Sequence, residues 1–144
     1  MTPPRVAHLE SVYEAIAGRM KALPISHPEL HVEAVGFLGC DEGHLGVLIT
    51  PWCMQLVFAP PEGTLAVGER TFGLPAGPVT LTWQSLDGFG ALASRSLFSP
   101  MSQFADQRVA VEVATKLLRT LLTPPPRTEP SRRALFPFLR RERA

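Results

Sequence analysis

Ten of the eleven glycines of this chain lie between Gly36 and Gly90. Glycines at such intervals are typical of short strands joined by turns, and apolar residues at helical spacing lie before and after this interval. The pattern predicts a helix, a run of strands and a second helix. Because parallel sheets alternate strands with helices, this order favours an α+β fold. We expect a two-layer sandwich, with an antiparallel sheet packed by an N-terminal helix and a long C-terminal helix.

Each predicted helix shows one apolar stripe, and in the first helix its steps are three, four, three and four residues. The first follows Pro3 and Pro4 and ends before Pro24, and its stripe consists of Val6, Leu9, Tyr13, Ile16 and Met20. The second is predicted over residues 103–122, after a stop at residues 99–102, and its stripe consists of Phe104, Val111, Ala114, Leu118 and Leu121. A chain of 144 residues fits one domain.

Five segments between the predicted helices are candidate strands. They are residues 31–38, 45–49, 52–58, 79–85 and 91–97, and a hairpin turn is predicted over residues 40–44. In residues 52–58 one alternating set is apolar (Trp52, Met54, Leu56, Phe58) and the other is largely apolar. This strand is therefore predicted to be central and covered on both faces.

Charge and proline content divide the chain into a body, a linker and a tail. Residues 1–122 form the predicted α+β domain and carry eight Lys or Arg and eleven Asp or Glu, a net charge of −3. Residues 123–131 contain four prolines and no large apolar residue, which is typical of an extended linker. Residues 132–144 form a basic and apolar tail. Residues 123–144 together carry six Arg and two Glu, a net charge of +4.

Several classes of protein are excluded at this stage. An acidic body argues against a nucleic-acid partner, which requires Lys and Arg on the folded surface. No stretch reaches the roughly 18 apolar residues that a membrane span needs. The first residues lack the apolar segment of a secretory signal. Two cysteines cannot form a disulfide framework, and we expect a cytoplasmic protein.

The sequence carries none of the strong catalytic or phosphate-binding motifs, so we expect neither a catalytic residue nor a cofactor. The best metal candidates are Cys40, His44 and Cys53, together with His31, because sulfur and imidazole ligands suit zinc. Their spacing matches no Cys-x-x-Cys pair, and free cysteines commonly behave as small buried apolar residues. A small cysteine-dependent redox or metal-handling protein remains the alternative function.

Several segments in the same order resemble the HybE/HupJ family of nickel–iron hydrogenase assembly chaperones. They are Val-Glu-Ala-Val-Gly-Phe at 32–37, Leu-Gly-Val-Leu-Ile-Thr-Pro-Trp-Cys-Met at 45–54, Pro-Ala-Gly at 75–77, Ser-Leu-Phe-Ser-Pro-Met at 96–101, Phe-Ala-Asp-Gln at 104–107, and Arg-Arg-Ala-Leu-Phe at 132–136 followed by Arg140 and Arg141. The resemblance covers nearly the whole chain. It agrees with the α+β order, since such chaperones have two-layer α+β folds.

The resemblance implies an accessory protein without catalytic activity. It would bind precursors of the large or small hydrogenase subunit, or of both, until cofactor insertion, subunit assembly and twin-arginine export are complete. Some relatives carry a fused rubredoxin unit with four iron-binding cysteines. This chain has only two, so iron binding is not implied here.

Two sets of residues are candidates for contact with such a partner. The first is an apolar groove around Trp52 and Met54, extended by Pro100 and Met101, since aromatic and Met side chains contribute strongly to interfaces. The second is in the tail, where arginines bracket apolar residues: Arg132, Arg133, Leu135 and Phe136. Docking of the tail on its own body, on the partner, or on a membrane as an amphipathic anchor all remain open.

Overall fold

The computed structural model describes residues 2–126, and within them the chain forms two helices and six strands. In chain order they are α1 Pro4–Met20, β1 Glu33–Cys40, β2 Gly43–Ile49, β3 Met54–Ala59, β4 Glu69–Leu74, β5 Gly77–Leu86, β6 Gly90–Phe98 and α2 Gln107–Leu121. The five predicted strands are all present, with bounds shifted by at most two residues. The predicted order of helix, strands and helix is confirmed.

The six strands form one antiparallel sheet in the order β1-β2-β3-β6-β5-β4. Two three-stranded meanders, β1–β3 and β4–β6, are joined through the pairing of β3 with β6. This arrangement leaves β1 and β4 at the edges. The prediction of an α+β fold with an antiparallel sheet is therefore correct.

Strand β3 is buried on both faces, as its composition predicts. Met54, Leu56 and Phe58 belong to the core that contains Ala110, Ala114 and Leu118 of α2. The alternate residues of β3 lie on the side of α1, where Val57 and Ala59 share a second core with Leu9 and Tyr13. Each helix thus packs on its own face of the sheet, and the sheet lies between the helices.

The structure corrects the apolar set predicted for residues 52–58, because Trp52 does not belong to it. Trp52 precedes β3 and packs with the α1 core, whereas Met54 packs with the α2 core. The reason is a turn at residues 50–53, which interrupts the alternation that was read from the sequence. The single stripe from Trp52 to Phe58 therefore begins at Met54.

Helix α2 begins four residues later than predicted, at Gln107. Asp106 is its N-cap, and its carboxylate accepts a hydrogen bond from the Val109 N–H at 3.0 Å. An acidic N-cap satisfies one of the free N–H groups of the first turn. Phe104, assigned to the helix stripe from the sequence, instead lies before the helix and packs edge-on against Phe98 at 5.2 Å between ring centroids.

Strand β4 was missed by the sequence prediction. Only Phe72 among its residues is buried, and the others are exposed or half-buried. An edge strand with one covered side chain carries little apolar pattern to detect. Its Phe72 ring nevertheless lies 4.9 Å from the ring of Phe58 on β3, although β6 and β5 separate these strands in the sheet. The sheet is therefore strongly curled.

The predicted turn between the first two strands is confirmed. Cys40 pairs with Gly43, and the two residues between them, Asp41 and Glu42, both have positive φ angles of 48° and 70°. Two-residue hairpin loops with both central residues at positive φ match the twist of antiparallel strands. Among residues 2–126, neither helix has the length and apolar character needed to cross a membrane.

Candidate binding surface

Three connecting segments meet at one end of the sheet, which we call the loop end. They are the α1–β1 connection (residues 21–32), the β2–β3 turn (50–53) and the β6–α2 connection (99–106). His27 joins all three, because its N–H donates to the Pro51 carbonyl at 2.9 Å and its Nε2 lies 2.7 Å from the Phe104 carbonyl oxygen. These contacts hold the α1–β1 connection against the sheet.

The β2–β3 turn is organised by the buried hydroxyl of Thr50. Thr50 Oγ1 accepts hydrogen bonds from the N–H groups of Trp52 and Cys53, at 3.3 and 3.0 Å, and donates to the Cys53 carbonyl at 3.0 Å. A threonine hydroxyl of this kind satisfies backbone groups in a turn that have no partner on a neighbouring strand. The turn places the half-buried Trp52 ring beside Tyr13, with 6.5 Å between ring centroids.

The surface of the loop end is apolar and grooved. Leu23 and Ile25 are 48% and 46% exposed. A groove of about 540 Å³ is lined by Pro24, Ile25, Ser26, His27, Pro28, Pro100 and Ser102. A second groove of about 390 Å³ lies between α1 and the same connection and shares Ser26, His27 and Pro28 with the first. Apolar surface in grooves of this size is suited to an apolar segment of another chain.

The sequence-predicted contact residues are only partly available at this surface. Pro100 is exposed and lines the larger groove, and Trp52 is half-buried nearby. Met54 and Met101 are 0% and 1% exposed, so their side chains belong to the core and cannot touch a partner in this conformation. A sequence shows that a methionine is apolar but not on which side of a turn it lies.

The remaining predicted contact residues, Arg132, Arg133, Leu135 and Phe136, lie outside the described residues. Sequence reasoning missed Leu23 and Ile25, which are the exposed apolar residues of the loop end. A signal was present, because residues 22–28 alternate apolar residues with two prolines in a segment too short for a helix.

The two cysteines are far apart in the fold. Cys40 lies at the β1–β2 turn and Cys53 at the opposite end of β2, where Ile49 pairs with Met54. The six residues from His44 to Ile49 separate these ends by roughly 20 Å at 3.3 Å per residue. A disulfide requires Cα atoms within about 7 Å. Among residues 2–126, no three His, Cys, Asp or Glu side chains come close enough to hold a metal ion.

Neither thiol is activated. Burial raises the pKa of the Cys53 thiol above its ordinary value, and the hydrogen-bond contact of its Sγ with Thr50 Oγ1 at 3.4 Å offsets only part of this effect. Burial and then the negative charge of Asp41 raise the pKa of the Cys40 thiol, against a smaller opposing effect of Arg70. Reactive cysteines instead have lowered pKa values.

The curled antiparallel sheet thus carries grooved apolar loops at one end. A family model described as "[NiFe]-hydrogenase assembly, chaperone, HybE" matches residues 4–138. The hydrogenase expression/formation protein HupT of Azotobacter chroococcum mcd 1 is 42% identical over 135 residues, which is 89% of this chain and 91% of that protein. The hydrogenase-2 operon protein HybE of Escherichia coli (strain K12) is 33% identical over 140 residues, 90% of this chain and 86% of that protein.

A solved structure supports the same assignment. The solution structure of HybE from Escherichia coli superposes with a TM-score of 0.63 and 30% sequence identity, over 96% of this chain and 91% of that chain. The chain therefore belongs to the HybE family of nickel–iron hydrogenase assembly chaperones, and its role lies in hydrogenase maturation.

Proposed function

We propose that this protein binds precursors of the large or small hydrogenase subunit, or of both, in the cytoplasm. It holds them until cofactor insertion, subunit assembly and twin-arginine export are complete, and it catalyses no reaction itself. The observation that carries this proposal is the exposed apolar surface of the loop end in a chain of the hydrogenase assembly family.

The loop end suits an apolar segment that is exposed only until its own protein is assembled. Leu23, Ile25 and Pro100 offer exposed apolar atoms, whereas His27 and the Thr50 turn fix the backbone beneath them. A fixed apolar surface binds with little loss of conformational entropy, because the loops are already ordered. Shielding of a precursor segment therefore requires no chemistry.

The cysteine-dependent alternative has less support. A dithiol or a shared metal site needs its two sulfur atoms close together, whereas Cys40 and Cys53 lie at opposite ends of β2. The raised thiol pKa values also favour the protonated form over the nucleophilic thiolate.

Co-purification tests the proposal. The tagged chain is expressed with one hydrogenase subunit precursor at a time, with and without its twin-arginine leader. We expect retention of at least one precursor. A double variant, L23D/I25D, should reduce that retention at least tenfold, because two charges would be buried at the contact.

Leu38→Asp is the matched control, since Leu38 is also an exposed aliphatic residue, at 41%, but lies near the β1–β2 turn. It should retain the precursor as the unchanged chain does. Retention of neither precursor by the unchanged chain would overturn the proposed function. Equal retention by L23D/I25D and the unchanged chain would remove the loop end as the contact surface.

A further inference from the structure

The β3–β4 loop, residues 60–68, carries two aliphatic side chains that are almost fully exposed. Leu65 is 95% and Val67 is 92% exposed. The carbonyl of Gly68 still accepts a hydrogen bond from the Trp83 N–H at 2.9 Å, so this end of the loop leads directly into β4. Leu65 and Val67, two residues apart, thus offer exposed apolar surface just before the edge strand.

Two exposed carboxylates flank this patch of apolar surface. At the start of the loop, Arg5 Nε donates a hydrogen bond to the Pro60 carbonyl at 3.2 Å, so a cation already contacts that part of the loop. Glu62 and Glu69 bracket the patch at a separation of seven residues, and both are exposed. The nearest following cation, Arg70, is already paired with Asp41. The charge here favours a segment with apolar residues between cations.

The tail of this chain has the complementary pattern. Arg133 and Arg140 are also seven residues apart, and they bracket Leu135, Phe136, Phe138 and Leu139. Opposite charges at both ends of two apolar segments steer the segments together and fix their register. The match between the β3–β4 loop and the tail is therefore one of charge sign and of separation along the sequence.

The length of the intervening chain agrees with this pairing. Pro124, Pro125 and Pro126 line a groove with Ala76, whose N–H donates to the Leu121 carbonyl at 3.1 Å, so the chain leaves α2 beside the β4–β5 turn. From that turn, the six residues of β4 lead back towards Glu69 over roughly 20 Å. Nine residues from Pro126 to Leu135 span about 28 Å as polyproline II. The apolar part of the tail thus reaches the β3–β4 loop.

We propose that tail residues 132–141 dock on the β3–β4 loop of the same chain. The apolar residues of the tail cover Leu65 and Val67, and its arginines lie near Glu62 and Glu69. The docked tail also follows the free edge of β4, which pairs only with β5 among the described strands. The docked tail competes with any other basic and apolar segment that approaches the β3–β4 loop. This inference goes beyond the proposed function and does not depend on it.

Backbone order parameters of the isotopically labelled full chain, measured by NMR without any partner, test the docking. We expect values above about 0.6 for the amides of residues 132–141, as for an ordered backbone. The double variant L65D/V67D should lower them below about 0.6. Both substituted residues are more than nine-tenths exposed, so the body should remain folded, and its unchanged amide spectrum verifies this.

Two further variants separate this docking from general effects of charge. L23D/I25D places the same substitutions on the loop end and should leave the order parameters of the tail unchanged. E62K/E69K should lower them, and combination with R133E/R140E should restore them. Values below about 0.6 in the unchanged chain, or values insensitive to L65D/V67D, would overturn the proposal. So would order that disappears on dilution, because the tail would then dock on a second copy.

Discussion

The guanidinium of Arg70 on strand β4 is hydrogen-bonded to the carboxylate of Asp41 in the β1–β2 turn. The two residues come from opposite edges of the six-stranded sheet. The same guanidinium lies over the rings of Phe58 and Phe72, with its central carbon 5.0 and 4.6 Å from the ring centroids. Arg70 thus closes the curl of the sheet by an ion pair and by two cation–π contacts.

Replacement of Arg70 by Leu should lower the free energy of unfolding by about 1–2 kcal/mol, because it removes both the ion pair and the cation–π contacts. Asp41→Asn should cost less than about 1 kcal/mol, since the rings still hold the guanidinium and Asn tolerates positive φ. Urea denaturation measures both values. Arg108→Leu is the control, because the exposed Arg108–Glu112 pair is worth only about 0.3–0.5 kcal/mol. Equal losses for Arg70→Leu and Arg108→Leu would contradict the closing role of Arg70.

The single tyrosine of the chain reports on the α1 core. Burial raises the pKa of Tyr13 above its ordinary value of 10.0, although a hydrogen bond from Gln55 Nε2 at 3.2 Å acts in the opposite direction. Absorbance at 295 nm should therefore show phenol titration above pH 10 in the folded protein and near pH 10 in urea. A native titration at or below pH 10 would contradict the burial of the hydroxyl.

The same shift predicts how stability depends on pH. The folded state favours the neutral phenol of Tyr13. The contribution of this phenol to the free energy of unfolding is therefore fully present below its pKa in the unfolded state, near 10, and is lost as the pH rises through its pKa in the folded state. Urea midpoints measured between pH 9 and 11 should fall with rising pH, and Tyr13→Phe should reduce that dependence. A midpoint that rises over this range would exclude the effect.

Gly46 is required where β2 passes beneath the bulge in β1. A Cβ atom at this position would lie 2.7 Å from Cα of Phe37 and closer still to its ring. Gly46→Ala should destabilise the protein by about 1–3 kcal/mol, as overpacking does in a core. Gly39→Ala is the control, because nothing lies within 4 Å of its Cβ position. Thermal unfolding of the two variants checks this, and a neutral Gly46→Ala would show that Phe37 moves aside freely.

Neither cysteine should matter chemically. At pH 7.5 we expect iodoacetamide to react slowly with Cys53, whose pKa is raised by burial, and somewhat faster with the more exposed Cys40. Both should react alike in urea. Cys40→Ala and Cys53→Ala should leave hydrogenase maturation unchanged, with a modest loss of stability for Cys53→Ala. Loss of maturation in a folded variant would instead support the redox or metal-handling alternative.

The predicted division into body, linker and tail can be tested by limited digestion with proteinase K. Residues 1–122 should persist as a resistant fragment, whereas residues 123–131 should be cut first, because they combine four prolines with no large apolar residue. Mass spectrometry identifies the first site. Early cleavage within residues 45–58, with the linker intact, would contradict this domain organisation.

The sequence alone determined the elements in which apolar residues or glycines recur at regular intervals along the chain. The stripe of α1, the apolar alternation of β3 and the glycine-spaced turns each follow from the local period of the chain, and they were sufficient for an α+β fold with an antiparallel sheet. Strand β4 escaped because Phe72 alone is buried there. An edge strand is identified by its backbone partners, which local composition does not show.

Only the tertiary structure decided which apolar residues face outward. Trp52, Met54, Pro100 and Met101 were indistinguishable as candidates, yet Met54 and Met101 are buried, because both pack in the core that lies between the sheet and α2. Likewise, Arg70 and Asp41 are 29 residues apart in the chain and meet only because the sheet curls. Burial and long-range pairing depend on what packs from elsewhere in the chain, and no local pattern encodes that.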